Sequence, residues 1–175
     1  FKVMLASCLL CLALTSNVED KINNSDAYAR VKIDDDEWSG SCGENMHYDF
    51  NNSNKTLIIS GTGEMYNFSS QSDAPWYNIK SLIKTIIIKE GVTSIGDNAF
   101  AHMGFLESIT FPNGLMYIGD GAFLSCGMKI IALPDGVTYI GSSAFKYCST
   151  LTEFRVPEGV TAIKSSTFYQ CSNLA

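Results

Sequence analysis

Histidine is nearly missing from this 175-residue chain, which holds His47 and His102 and no others. Most acid–base and metal constellations therefore lack their raw material. His47 falls in a β-prone run and His102 in a variable stretch, so neither has a defined base or ligand role. No G-x-S-x-G, H-E-x-x-H, P-loop or G-x-G-x-x-G accompanies them, which leaves hydrolase and nucleotide-binding readings without support. Charge is scarce too: 17% of residues carry one, against the usual quarter or so of a soluble domain. What charge there is sums to −6, and no stripe of Lys and Arg follows the chain. That disfavours nucleic acid and anionic membrane as partners. No apolar run reaches the ~20 residues that cross a bilayer. The composition points to a protein that is no enzyme and needs no cofactor or metal.

What is present begins with an address. Phe1 to Ser16 reads FKVMLASCLLCLALTS: one Lys, an apolar run from Val3 to Leu14, then small polar residues. That layout predicts a secretory signal peptide over 1–16. LASC at Leu5 to Cys8 resembles a lipoprotein box, but the apolar run continues past Cys8, so lipidation is not expected. Residues 17–37 are polar and acidic and read as a linker. The acidic run from Asp34 to Glu37 lacks the alternating spacing and Gly of a calcium loop, and reads as a solvated charge run.

Between 38 and 82 the texture becomes β-prone. MHYDF (Met46 to Phe50) and KTLIIS (Lys55 to Ser60) flank Asn51 to Asn54, a hairpin signal. DAPWYNIK then places Trp76 and Tyr77 after Pro75, in a block that shows no copy elsewhere in the chain.

From Ile95 the chain copies itself. The units are IGDNAFAHMGFLESITFPNGLMY (from Ile95), IGDGAFLSCGMKIIALPDGVTY (from Ile118), IGSSAFKYCSTLTEFRVPEGVTA (from Ile140) and IKSSTFYQCSNLA (from Ile163), the last interrupted at Ala175. The period is 23 residues, with one deletion between Cys126 and Met128. A degenerate leading half, IKTIIIKEGVTS, starts at Ile83. One unit carries too little apolar surface to bury it alone. Stacking merges the columns Ile95/Ile118/Ile140/Ile163, Phe100/Phe123/Phe145/Phe168 and Leu106/Met128/Leu151 into one core. The I-x-F, I-x-L and F-x-V pairs alternate as a short strand does, so stacked units predict a parallel ladder. Pro-x-Gly after each strand predicts a corner, with Gly offering positive φ. The A-F-x-x-C stretch is expected to be helical or 3₁₀.

Cys126, Cys148 and Cys171 share one column, which Met103 fills in the first full unit. A Met there indicates soft apolar packing and buried thiols. A disulfide between adjacent units stays open as an alternative, while zinc would want paired ligands that these positions lack. Cys42 has no evident partner.

The unit I-G-x-x-A-F-x-x-C-x-x-L-x-x-I-x-L-P-x-G-V-T-x resembles the BspA-like, Treponema-type leucine-rich repeat over Ile83 to Ala175, and 38–82 looks like the N-terminal cap that precedes such repeats. The resemblance implies a leucine-rich-repeat solenoid with a parallel β ladder, short helical or 3₁₀ segments and a β-rich cap. It also implies exported surface proteins associated with adhesion and cell contact, with no shared catalytic residues. The chain then reads as an N-terminal portion of a secreted or cell-surface module. It would bind a protein or glycan, such as extracellular matrix or a host-cell surface, and meet a membrane only through an anchor beyond Ala175. A structural stalk or coat, or the targeting arm of a larger protein with a further domain, are the alternatives.

Two rows of outward ladder positions vary between copies while the core columns do not: Thr85, Ser108, Ile130 and Glu153, then Ile87, Thr110, Ala132 and Arg155. They form the candidate partner-binding face, though variation without a ligand would look the same, and Glu153 and Arg155 could pair with each other. Tyr117 and Tyr139 share a column with Ser94 and Ala162, as ladder packing or as an aromatic anchor for a partner. N-x-[ST] occurs at Asn23, Asn51, Asn54 and Asn67, candidate glycosylation sites if the host modifies secreted proteins.

Overall fold

The computed structural model describes residues 30–34 and 37–175. The expected signal peptide, Asn23 and most of the linker lie outside the described residues. Five strands come first: β1 (Arg30–Asp34), β2 (Glu37–Gly43), β3 (Met46–Asn51), β4 (Thr56–Gly61) and β5 (Gly63–Glu64). Two single-turn 3₁₀ helices, Gln71–Asp73 and Tyr77–Ile79, lead into the repeats. The repeats alternate β6 (Thr85–Ile88), β7 (Val92–Ile95), β8 (Ser108–Thr110), β9 (Tyr117–Ile118), β10 (Ile130–Ile131), β11 (Tyr139–Ile140) and β12 (Glu153–Phe154).

The strands stack as a solenoid. One sheet runs β1-β2-β3-β4-β6-β8, and β10-β12 continue along the same side after a break at the unit that carries the deletion. A second ladder, β5-β7-β9-β11, forms another side. Pairing is antiparallel from β1 to β4 and parallel from β4 onward. β4 is therefore the hinge of the architecture: it closes the Asn51–Asn54 hairpin with β3 and also acts as the first rung of the repeat ladder.

Burial follows the columns except at Ile163, expected in the core with Ile95, Ile118 and Ile140 but 49% exposed. Ile95, Ile118, Phe100, Phe123, Phe145, Met128 and Leu151 are fully buried in one continuous cluster. The Phe column is a stack of rings: centroids lie 5.5 Å apart from Phe100 to Phe123, 5.4 Å to Phe145 and 5.6 Å to Phe168. Trp76 heads the stack, 5.3 Å from Phe100.

Four expectations need correction. The linker expected over 17–37 enters the sheet at Arg30, where β1 pairs with β2; the alternating RVKI sequence suffices for an edge strand. The DAPWYNIK block does have copies, because its Trp76 fills the aromatic column. The A-F-x-x-C side holds isolated 3₁₀-type turns, Ala99 N–H to Gly96 O and Ala101 N–H to Asn98 O at 3.3 Å each, and no continuous helix. Asn98, Gly121, Ser143 and Ser166 take φ of 54–61°, and His102, Ser125, Tyr147 and Gln170 take 58–63°. A left-handed residue every fourth position stops helix propagation. Instead, alternate N–H groups reach the next coil: Asn98 to Asp120 O, Phe100 to Ala122 O and His102 to Leu124 O, at 2.9, 2.8 and 2.6 Å. The following coils repeat this, so the third side is hydrogen-bonded between units like the other two. Finally, of the corner glycines, Gly91 takes positive φ (101°) and Gly114, Gly136 and Gly159 do not. Those three corners close with an i→i−3 bond onto the Pro carbonyl, as at Leu115 to Pro112 O (3.2 Å).

The glycine of the I-G pair has a different cause. A Cβ on Gly119 would lie 2.4 Å from Asp97 Oδ1 and 2.6 Å from Asp97 N, and one on Gly141 would meet Asp120 in the same way. The carboxylates are there because they bridge coils. Asp97 N–H donates to Asn67 Oδ1 (3.0 Å), Asp120 N–H to Asp97 Oδ1 (2.7 Å) and Ser142 N–H to Asp120 Oδ1 (2.7 Å).

Candidate functional site

The two expected rows lie across the long sheet, and register explains why. Thr56 pairs with Thr85 and Thr85 with Ser108; Ile58 pairs with Ile87 and Ile87 with Thr110. Ile130 pairs with Glu153. Ser108, Thr110, Ile130, Ala132, Glu153 and Arg155 are exposed, and Thr85 and Ile87 half-buried. The hydroxyl of Ser108 donates to that of Thr85 at 3.2 Å. Ile130 is the apolar outlier, 61% exposed. A shallow recess of about 240 Å³ opens around Ile130, Ala132, Glu153 and Arg155.

Arg155 does not pair with Glu153. Its guanidinium donates to the Asp135 carboxylate of the preceding coil. Neighbours along a strand point to opposite faces and i,i+2 residues stand some 7 Å apart, whereas the corner of the previous coil is nearer. The rows also extend further than the sequence suggested. Asp49 is opposite Ile58 and His47 opposite Ser60, and both Asp49 and His47 are exposed. The signal for this was the β3–β4 hairpin itself.

The second ladder carries the tyrosines. Tyr117 and Tyr139 stack with centroids 4.5 Å apart and planes 4° from parallel. Lys164 Nζ lies 5.3 Å over the Tyr139 ring. Partial burial, with Tyr139 and the Asp97 and Asp120 carboxylates nearby, pushes the Tyr117 hydroxyl up to about 12. Sequence reading missed a recess beside this pair that reaches Glu64 and Asn67; Ser94, the small member of a tyrosine column, was its signal.

All four cysteines among the described residues are free and buried. Each repeat thiol donates to the carbonyl of the preceding coil's Phe: Cys126 to Phe100, Cys148 to Phe123 and Cys171 to Phe145, at 3.0, 3.1 and 3.0 Å. The column bonds along the solenoid through its carbonyls, not through sulfur pairs. Among the described residues no three His, Cys, Asp or Glu side chains gather as a metal ion would need, and no helix is long and apolar enough to cross a membrane. His102 is exposed, and its imidazole is held below the usual range by partial burial and by Lys80.

Of the sequons, Asn51 is half-buried with its Oδ1 accepting from Ser53 and Asn54 N–H, and exposed Asn54 accepts from Thr56 N–H. Asn67 is exposed and accepts from Asp97 N–H. In each the bond uses the amide oxygen, leaving the nitrogen that a glycan would occupy.

Comparison with known proteins bears on the repeats. A leucine-rich repeat protein from Eubacterium ventriosum superposes with a TM-score of 0.65 at 23% identity, over 83% of this chain and 43% of its own. This chain thus spans less than half the length of that protein. A leucine rich repeat protein from Treponema pallidum gives 0.47 at 22% identity, over 77% of this chain and 79% of its own. A leucine rich cell surface protein from Faecalibacterium prausnitzii gives 0.38 at 16%, over 65% and 53%. The first of these likenesses establishes the fold. No curated protein sequence matches the chain. The profile of the BspA type Leucine rich repeat region matches residues 72–175 in 6 copies, starting before Trp76 and so including the block that the period alone did not reveal. With that match over more than half its length, the chain belongs to the BspA-type leucine-rich repeat family.

Proposed function

We propose that this chain is an exported, non-catalytic recognition module that binds a protein partner through the outer face of its long sheet, at Thr85, Ile87, Ser108, Thr110, Ile130, Ala132, Glu153 and Arg155. The observation that carries the reading is the continuous row Asp49–Ile58–Ile87–Thr110, which passes from cap to repeats without a break in register. A flat array of backbone-fixed side chains loses little entropy on binding, and its exposed members take no part in the core. Membership of a repeat family built for interaction supports the same role. The signal-like segment at 1–16 supports export, to a cell surface or the medium, with adhesion as the activity. Extracellular matrix or host-cell proteins are the partners to try first.

Solid-phase binding of the full chain to matrix proteins and host cells tests this. The double variant Thr110→Arg plus Arg155→Glu should abolish any saturable binding while keeping the wild-type melting temperature. Unchanged binding by that folded variant would move the site off this face. Absence of any saturable partner would instead favour a stalk or coat role.

A further inference from the structure

We propose that the junction of cap and repeats holds a second binding site, for a neutral oligosaccharide, in the recess where Ser94 leaves the ring of Tyr117 open towards Glu64 and Asn67. The side concerned is the β5-β7-β9-β11 ladder, not the long sheet, so the site stands independently of the protein-binding face proposed above.

One lateral row of that ladder reads Glu64, Ser94, Tyr117, Tyr139, each paired with the next. The Tyr139 ring is occupied by Tyr117 at 4.5 Å and by the Lys164 ammonium at 5.3 Å. Among the described residues Tyr117 stacks on a ring of its next coil only. In the coil before it stands Ser94, buried, with its hydroxyl oxygen accepting the Met65 N–H at 3.1 Å. Ser94 is therefore turned to the backbone and too short to cover a ring. Coils of a ladder lie ~4.8 Å apart, so Glu64 and Tyr117 are separated by about two such spacings, with a ring-thick gap between. A pyranose fits where the first coil lacks its aromatic, continuing the stack.

The lining suits a sugar. A recess of about 240 Å³ is bounded by Glu64, Met65, Asn67, Ser94 and Tyr117. It shares Glu64, Met65 and Asn67 with a larger one of about 390 Å³ that reaches Glu44, Asn45 and Tyr66. Together they fall in the range of roughly 300–1,000 Å³ typical of small-ligand sites. An aromatic face takes the C–H side of a pyranose, while carboxylate and amide groups take its hydroxyls. The amide of Asn67 is fixed by the bond from Asp97 N–H at 3.0 Å, which sets its orientation before a ligand arrives. Met65, the one aliphatic side chain in the lining, is itself buried, so a peptide's apolar anchor finds nothing to enter. Glu44 and Glu64, on a chain of net charge −6, repel sulfated and uronic sugars.

Titration calorimetry of the full chain, made in a non-glycosylating host so that Asn67 is unmodified, decides the matter. The probes are cellotriose, maltotriose, chitotriose and a heparin-derived sulfated trisaccharide. At least one neutral trisaccharide is expected to bind, with a Kd on the order of 10 μM to 1 mM. Tyr117→Ala should weaken it about tenfold or more, as loss of a central aromatic contact does, and Tyr117→Phe should not. Ala162 occupies the same column, so the Ala variant should fold, with a melting temperature below the wild type's because the Tyr139 ring loses its partner. The Thr110→Arg plus Arg155→Glu variant should bind the sugar unchanged, which separates failure here from failure of the sheet-face reading. In the wild-type protein the side-chain amide resonances of Asn67 should shift on titration. No heat and no shift with any neutral probe up to ~10 mM, undiminished affinity in folded Tyr117→Ala, or preference for the sulfated probe would each overturn the proposal.

Discussion

Trp76 lies against Phe100 with ring centroids 5.3 Å apart and planes 17° from parallel, and its indole N–H donates to Ala99 O at 2.7 Å. Tyr48 and Phe68 meet it edge-on at 5.4 and 6.0 Å. One side chain thus ends the aromatic stack of the repeats and anchors the cap strands to it.

Replacing Trp76 with Ala should therefore cost ~3–5 kcal/mol, the usual range for emptying a buried aromatic site. Trp76→Phe keeps the stack and loses the indole bond, leaving Ala99 O without its donor, and should cost ~1–3 kcal/mol. Chemical denaturation measures both. Equal, small losses would mean that cap and repeats unfold separately.

How far the sequence disclosed this fold depends on which signal each element carries. Ile118, Phe123 and Leu133 recur at a fixed period, and their burial could be read directly, because repeated apolar positions stack into core columns, although Val156 and Ile163 of the same columns are 42% and 49% exposed. Trp76 escaped the period because it stands 24 residues before Phe100 rather than 23, and because Trp and Phe share shape rather than letter. The left-handed residues escaped for another reason. Asn98, Gly121, Ser143 and Ser166 have no common side chain, since the conformation is imposed by inter-coil bonds and tolerated by each. The binding rows were legible as variable positions, but the pairing of Arg155 with Asp135 needed the placement of a neighbouring coil.

That Arg155–Asp135 pair is exposed at both ends, so its weight should be small. Asp135→Asn is expected to change stability by less than ~1 kcal/mol, as for surface ion pairs generally. A thermal melt checks this. A larger loss would mean that the pair helps hold the corners in place, and any binding defect of an Arg155 variant would then need a folding control.

Gly141 should resist substitution because of its neighbour's carboxylate. Gly141→Ala drives a methyl to 2.4 Å from Asp120 Oδ1 and 2.6 Å from Asp120 N. The side chain can retreat only by releasing Ser142 N–H, and the backbone cannot retreat at all. A loss of ~1–3 kcal/mol is expected. Adding Asp120→Ala should give a double variant less damaged than the sum of the two singles by ~0.5 kcal/mol or more, the signature of shared space. Strict additivity in urea unfolding would show that the clash is with backbone alone.

Ser143 sits at φ 57°, in the column where Gly121 already serves. Ser143→Gly relieves the left-handed penalty of an L-residue, ~1–2 kcal/mol, partly offset by the greater freedom of Gly in the unfolded chain. A net gain of ~0.5–1 kcal/mol is expected. Ser143→Val should lose ~1 kcal/mol or more, since β-branching disfavours this region further. If both variants melt like the wild type, the inter-coil bonds do not constrain this turn.

The buried thiols set the alkaline limit of the fold. Burial, then the Asp49 carboxylate, pushes the Cys42 thiol up to about 12, and burial above all takes Cys148 to about 12 from an ordinary value of 9.0. Burial also raises Cys126 and Cys171. Each group thus has a folded value above its unfolded one. The stability tied to it is whole below pH ~9 and declines as pH climbs towards 12, because the unfolded chain gives up the proton first. Tyr117, also raised to about 12, adds to the same slope above pH ~10. Melting temperatures should therefore hold steady from pH 7 to 8.5 and fall between 9 and 11. Cys148→Ala keeps the column apolar, as Met103 does in the first unit, and should reduce that slope while lowering stability at pH 7 through a small cavity and the lost bond to Phe123 O. Iodoacetamide at pH 8 should leave the four thiols unmodified until denaturant is added. Rapid labelling of the native chain, or a pH profile that Cys148→Ala leaves unaltered, would place the alkaline transition elsewhere.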